Sequence, residues 1–166
     1  IAIRYWQQSG RINRVAVLDA DAHQANGTAT IFAADNRVFT CSVHNHAIYP
    51  RRKPQSDLDL GLDPGTSDHA YLEAIDHAIA ACAAPDVAAD LWIYLAGADP
   101  FEGDYLGGLA VSADGLRERS RRVFATARHL QIPVVTVLAG GYARRPEQLH
   151  ALHAATAQEA ARAWSS

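Results

Sequence analysis

The sequence predicts an α/β fold, a parallel sheet with helices on both faces. Short apolar runs rich in β-branched residues recur along the chain, and long alanine-rich segments with helical spacing lie between them. Three of the apolar runs end in polar or glycine-rich residues. Strands that alternate with helices form parallel sheets, because each crossover returns the chain to the edge from which the next strand starts.

Taken in order, the chain opens at Ile1 inside a stretch of helical character. Strands are expected at residues 15–18, 38–43, 58–62, 91–96 and 134–138, most of them too short to be helices. Helices are expected at 67–84, 113–130 and 146–164. Pro146 suits a first helical turn, where its missing N–H costs nothing, and Ser112 and Thr66 or Ser67 are candidate N-caps. Parallel sheets bind ligands beyond the carboxyl ends of their strands. Asp19-Ala-Asp21-Ala-His23, Ala96-Gly-Ala-Asp99 and Ala139-Gly-Gly-Tyr142 each follow an apolar run, so Asp21, His23, Asp99 and Tyr142 are expected in one crevice.

Composition narrows the function. With 166 residues, 49% of them hydrophobic, the chain is long enough for a core, and residues 1–166 read as a single domain. Fifteen Lys+Arg against 18 Asp+Glu, with no basic stripe, argue against direct nucleic-acid binding. No apolar run has the length of a membrane span and the start lacks the pattern of a leader, so a cytoplasmic protein without a membrane partner is expected. Cys41 and Cys82 lie far apart and outside any C-x-x-C, which suits reduced core residues. The chain contains no methionine, so a processed or partial form of a longer product is expected.

The strongest local signal is Asp19-x-Asp21-x-His23. Alternate residues of an extended chain project the same way, so the three side chains share a face if the strand continues through them. Asp21 and His23 from one strand end and Asp99 from another supply three N/O ligands and leave a fourth position open, the pattern of a catalytic zinc. In the competing reading, Asp19 and Asp21 cap the next helix and His23 packs locally. Asp99 to Asp104 also reads as a turn. Gly140-Gly141-Tyr142 either brings backbone and phenol to a ligand or turns over a packed ring. His44 and His46 are expected in an exposed loop, and His69, His77, His129, His150 and His153 in helices, solvated or helix-packing. Arg51 to Lys53 reads as a solvated loop, and Arg117 to Arg122 as a solvated helix face.

A D-x-D after a strand also opens magnesium-dependent phosphatases of the haloacid dehalogenase type. His23 argues against that reading, since magnesium prefers all-oxygen ligation. An arginase-like dinuclear site needs a carboxylate at position 25, where this chain has Ala25.

Four segments in order carry a more specific signal: Val17-Leu-Asp-Ala-Asp-Ala-His-Gln-Ala-Asn-Gly-Thr28, Thr40-Cys-Ser-Val-His44, Ala98-Asp-Pro-Phe-Glu-Gly-Asp-Tyr-Leu-Gly-Gly-Leu109 and Leu138-Ala-Gly-Gly-Tyr142. Together they resemble the zinc-dependent histone deacetylase family, from about Arg14 to the C-terminal helix. His44-Asn-His-Ala-Ile-Tyr-Pro50 and Leu106-Gly-Gly-Leu109 are most similar to its class IV branch and the bacterial relatives. The resemblance implies an arginase/deacetylase-like fold without its N-terminal part, and hydrolysis of acyl-lysine or related amides. It implies zinc ligation by Asp21, His23 and Asp99, and a carbonyl-binding role for Tyr142. It makes Asp19 a second catalytic position, an orienting aspartate that, with Asp21 and Ser42, contributes to a monovalent cation site for potassium. Tyr49 and Leu106 correspond to positions lining the acyl-lysine tunnel.

The chain departs from the family in one respect that bears on the chemistry. The family draws its general base and acid from a His-His pair upstream of these motifs, and no adjacent histidines occur here. The alternative is therefore a catalytically incomplete protein that binds zinc and an acyl-lysine or a partner. Substrates of either kind, acyl-lysine proteins or small acylated amines, suit the resemblance. A sheet without its N-terminal strands would expose an edge for an upstream segment or a second subunit to cover.

Overall fold

Five parallel strands form the centre of the computed structural model, which describes residues 1–165. They are β1 (Val15–Asp19), β2 (Val38–Asn45), β3 (Leu58–Leu62), β4 (Leu91–Ala96) and β5 (Val134–Leu138), in the order β3-β2-β1-β4-β5. β1 occupies the centre and is buried at every residue, as its unbroken Val-Ala-Val-Leu run requires of a strand covered on both faces. Register aligns the strand ends: Asp19 pairs with Ser42 on one side and Leu95 on the other, and Ala96 pairs with Leu138.

The period of two along each strand sorts the core into two layers. Ala16, Leu18, Cys41, Val43, Trp92 and Tyr94 face α3 (Asp68–Cys82), α4 (Ala113–His129) and α5 (Pro146–Trp164), where Tyr71, Ile75, Leu116, Val123, Phe124 and Leu152 complete the larger cluster. Val15, Val17, Val38 and Leu91 face the opposite way, onto Ile3 of α1 (Ala2–Gln8) and Phe32 of α2 (Asn26–Phe32). Helices thus cover both faces as expected, but unequally. The seven-residue α1 and α2 leave an apolar groove of about 320 Å³ lined by Trp6, Ile31, Ile93 and Val137 among others. Among the described residues no strand pairs with the outer edge of β5.

The helix boundaries have local causes. Ser112 caps α4 by accepting from the Gly115 N–H at 2.9 Å, and Asp68 in turn accepts from the Ser112 N–H and hydroxyl. Ser67 sits at the N-cap of α3 without a side-chain bond. Pro146 occupies the first turn of α5.

Three features differ from the sequence expectation. α2 has no strong sequence signature: it is short and carries Gly27, Thr28 and Thr30, so packing of Ala29 and Phe32 supplies what propensity does not. β2 runs on to Asn45 because β3 continues the ladder beside it, pairing His44 with Gly61 and Asn45 with Leu62. His44 is therefore buried inside the sheet instead of exposed in a loop, while His46 lies near the surface against Asp63. Arg119 is buried on the inner stripe of α4 among Leu116, Ser120, Val123 and Ala127, although the run around it reads as a solvated face. Both cysteines are free and buried, as expected. The neighbouring Cys82 thiol, and then burial, push the Cys41 thiol up.

Candidate metal centre

β1 ends at Asp19, and the extended chain does not persist through His23. The Asp19 carboxylate accepts from the Asp21 N–H at 3.0 Å, and the Asp21 carboxylate accepts from the His23 N–H at 2.8 Å. These side-chain bonds turn the backbone twice, so Asp21 and His23 move together above the strand end while Asp19 stays buried beneath them. Neither aspartate caps α2, whose N-cap is Ala25 without a side-chain bond.

Asp99 arrives from the loop after β4. Its Oδ1 accepts from the Ala22 N–H at 2.8 Å, and its Oδ2 faces His23 Nδ1 at 2.8 Å. Asp21 Oδ1 lies 3.1 Å from the same imidazole nitrogen. Asp21 Oδ2 accepts from the Gly140 N–H at 2.6 Å, so the loop after β5 closes the third side. Only glycine fits there, because a Cβ at position 140 would lie 2.2 Å from Asp99 Oδ2 and 2.6 Å from Asp21 Oδ2.

One ligand atom from each of Asp21, His23 and Asp99 lies within 4.8 Å of the others. The donor set fits a divalent ion: two carboxylates and one imidazole converge, and backbone N–H groups orient each carboxylate. Burial and neighbouring charges shift the titration of the cluster. Burial pushes the Asp99 carboxyl up, with Asp21 adding to the effect. His23 is pushed up to about 9, first by its hydrogen bond to Asp99. The His23 shift reflects a proton shared in its hydrogen bond to Asp99. Burial also pushes Asp19 up to about 8.

Tyr142 follows Gly140 and Gly141, and its ring stands edge-on to the His23 ring with centroids 6.0 Å apart. Burial, then Asp21 and Asp99, push its phenol up, which keeps the hydroxyl protonated at neutral pH and able to donate. Its backbone N–H donates to Asp104 Oδ2, while Asp104 Oδ1 accepts from the N–H groups of Leu106 and Gly107. Asp104 therefore couples the loop after β4 to the loop after β5, a role that a reading of it as a turn residue misses. Buried Asn45 supports the same loop by donating to the Gly107 carbonyl at 3.0 Å.

The other candidates lie around this cluster. Ser42 is fully buried, pairs in register with Asp19, and sits 3.0 Å from His44 Nδ1. Leu106 and Tyr49 are exposed, at 43% and 70%, so neither forms part of an enclosed tunnel among the described residues. His23 is the one histidine hydrogen-bonded to the carboxylate cluster among those residues.

Residues 1–159 match the histone deacetylase domain. An uncharacterised protein of Picosynechococcus is 42% identical over 149 residues, covering 90% of this chain and 49% of its own length. Histone deacetylase 2 of Arabidopsis thaliana is 40% identical over 135 residues (80% of this chain, 35% of its own), and a probable deacetylase of Archaeoglobus fulgidus is 33% identical over 148 (82% and 41%). Among solved structures, an acetylpolyamine aminohydrolase from Burkholderia pseudomallei superposes with a TM-score of 0.79 at 27% identity, over 96% of this chain and 48% of that one. The histone deacetylase Clr3 superposes with a TM-score of 0.74 at 21% identity, over 95% and 28%. The chain thus spans half or less of the length of these relatives.

Proposed function

The chain belongs to the histone deacetylase family, and we propose that it carries the metal-binding part of a zinc-dependent amide hydrolase acting on acyl-lysine or on small acylated amines. The observation that carries this reading is the convergence of Asp21, His23 and Asp99 from two strand ends, with Tyr142 brought over them from a third. The two relatives named as histone deacetylase 2 and acetylpolyamine aminohydrolase support the two substrate classes.

Zinc held by Asp21, His23 and Asp99 would supply Lewis-acid polarisation of the amide carbonyl and lower the pKa of water. The protein's own residues supply part of the rest. Tyr142, protonated at neutral pH, donates from its hydroxyl to the carbonyl oxygen as negative charge develops there. The N–H groups of Gly140 and His23 fix the orientation of the Asp21 carboxylate, and Asp19 holds the Asp21 backbone N–H. Hydrolysis also requires a base for water and an acid for the departing amine, and His23, as a ligand, is unavailable for either.

A second reading follows from that last point: the chain binds zinc and an acyl-lysine side chain without turning it over. Metal analysis together with an amidase assay tests both. The folded chain is expected to hold about one zinc, as a three-ligand site does. Asp99→Ala should lose most of it while keeping its circular dichroism spectrum. The chain alone is expected to hydrolyse acetyl-lysine peptides barely above background. Rapid turnover would show that a base exists within these residues, and absence of zinc from the folded chain would sink both readings.

A further inference from the structure

Arg119 is 1% exposed at the middle of α4, and no carboxylate lies within ion-pair distance of it among the described residues. A buried charge without a counter-ion is costly unless it is fully engaged in another way. Its Nη1 shares its two protons among the Gly97 carbonyl at 2.7 Å, the Tyr71 hydroxyl at 3.2 Å and the Ala20 carbonyl at 3.3 Å, while its buried Nε has no hydrogen-bond partner among the described residues. Tyr71 in turn donates to the Ala20 carbonyl at 3.4 Å, and the guanidinium carbon lies 5.7 Å from the Tyr94 ring centroid. The two carbonyls have a specific location. Ala20 joins the last residue of β1 to Asp21, and Gly97 follows the last residue of β4 two positions before Asp99. The two segments touch so closely there that a Cβ on Gly97 would lie 2.6 Å from the Asp21 Cα.

We infer that Arg119 is the positioning residue of the metal centre: it ties the Ala20 and Gly97 carbonyls to one guanidinium and so holds Asp21, His23 and Asp99 at ligating distance before metal arrives. The inference rests on the metal-centre reading above. It also accounts for a cation buried behind an acidic site. Arg119 lies behind Asp21 and Asp99 without touching a ligand.

The strap and the charge predict opposite signs, which makes the inference testable. A nearby cation repels a dication, so removing the charge alone tightens metal binding, whereas removing the strap lets the two ligand-bearing segments separate and weakens it. Zinc affinity of the 166-residue chain is measured by competition with a chromophoric chelator, and cobalt(II) is added separately to read the ligand field in the visible spectrum. Arg119→Met is expected to bind zinc at least about tenfold more weakly, about 1.4 kcal/mol, and to change the position and intensity of the cobalt bands. Arg119→Lys keeps the charge but ends one atom short of the Nη1 that reaches both carbonyls, and is expected to recover only part of the affinity with a melting temperature near wild type. Should Arg119→Met fail to fold, Arg119→Lys decides alone. Wild-type affinity and wild-type cobalt bands in the lysine variant, or tighter binding in a folded methionine variant, overturn the inference and leave the metal centre standing. A wild-type chain that binds neither metal overturns both.

Discussion

His23 and Asp19 both hold their protons more tightly in the folded metal-free chain than in an unfolded one. His23 rises from 6.5 to about 9 because Asp99, and then Asp21, accept from its Nδ1. Asp19 rises from 3.8 to about 8 because it is buried. A raised folded-state pKa contributes stability that is complete below the unfolded value and lost as pH climbs through the folded one. The metal-free chain should therefore lose stability between about pH 4 and 8 from Asp19 and between about pH 6.5 and 9 from His23. Zinc requires the His23 nitrogen free, so its binding should expel a proton near neutrality and strengthen with pH up to about 9. Calorimetry in two buffers of different ionisation enthalpy measures the released proton. An affinity that stays flat from about pH 6 to about pH 8.5 would contradict the proton-sharing between His23 and Asp99.

At the scale of elements, the loops after β1, β4 and β5 work as one unit because small residues let them approach. Gly140 shows the limit of that approach, since the space for its Cβ is already filled by the Asp99 and Asp21 carboxylates. Gly140→Ala should displace one or both and cut zinc affinity by about tenfold or more, at a cost of about 1–3 kcal/mol in stability from overpacking. Gly27 provides the control. It lies in α2, and a Cβ added there would meet nothing within 4 Å, so Gly27→Ala should leave zinc binding unchanged and stabilise the chain by up to about 0.5–1 kcal/mol through helix propensity. Equal zinc affinity in the two variants would mean that the β5 loop does not shape the site.

For the whole molecule, the asymmetry between the two faces of the sheet is the dominant feature. α3, α4 and α5 bury one face, whereas α1 and α2 leave a groove beside the outer edge of β5, with Val137 at 43% and Leu138 at 58% exposure. Exposed apolar edges favour self-association, and a lysine on such an edge opposes it. The chain should bind a hydrophobic dye and self-associate at high concentration. Val137→Lys should reduce both in fluorescence and sedimentation measurements while changing stability by no more than about 0.5 kcal/mol. A wild-type chain that stays monomeric and dye-free would show that this face is inert.

Much of this protein was legible in the order of its residues. Short apolar runs marked all five strands, β-branched in β1, β2 and β5, and alanine-rich spacing marked the three long helices, because strand and helix periods are local properties. The polar residues after Leu18, Ala96 and Leu138 pointed to one crevice because parallel strands end on one side of the sheet. Other features depended on neighbours remote in sequence. The contact between His23 and Asp99 spans 76 positions, and α2 relies on the burial of Ala29 and Phe32. His44 is interior because β3 extends the ladder beside β2, and Asp104 reaches the Tyr142 backbone across two loops. Arg119 is the clearest case: its sequence neighbours are solvated charges, but the 3.6-residue turn sets it in line with Leu116 and Val123, against the carbonyls of Ala20 and Gly97. Sequence determined which residues could carry the chemistry, since that depends on side-chain type and local spacing. Tertiary structure alone decided their distances and charge balance, because those arise where separate strand ends meet.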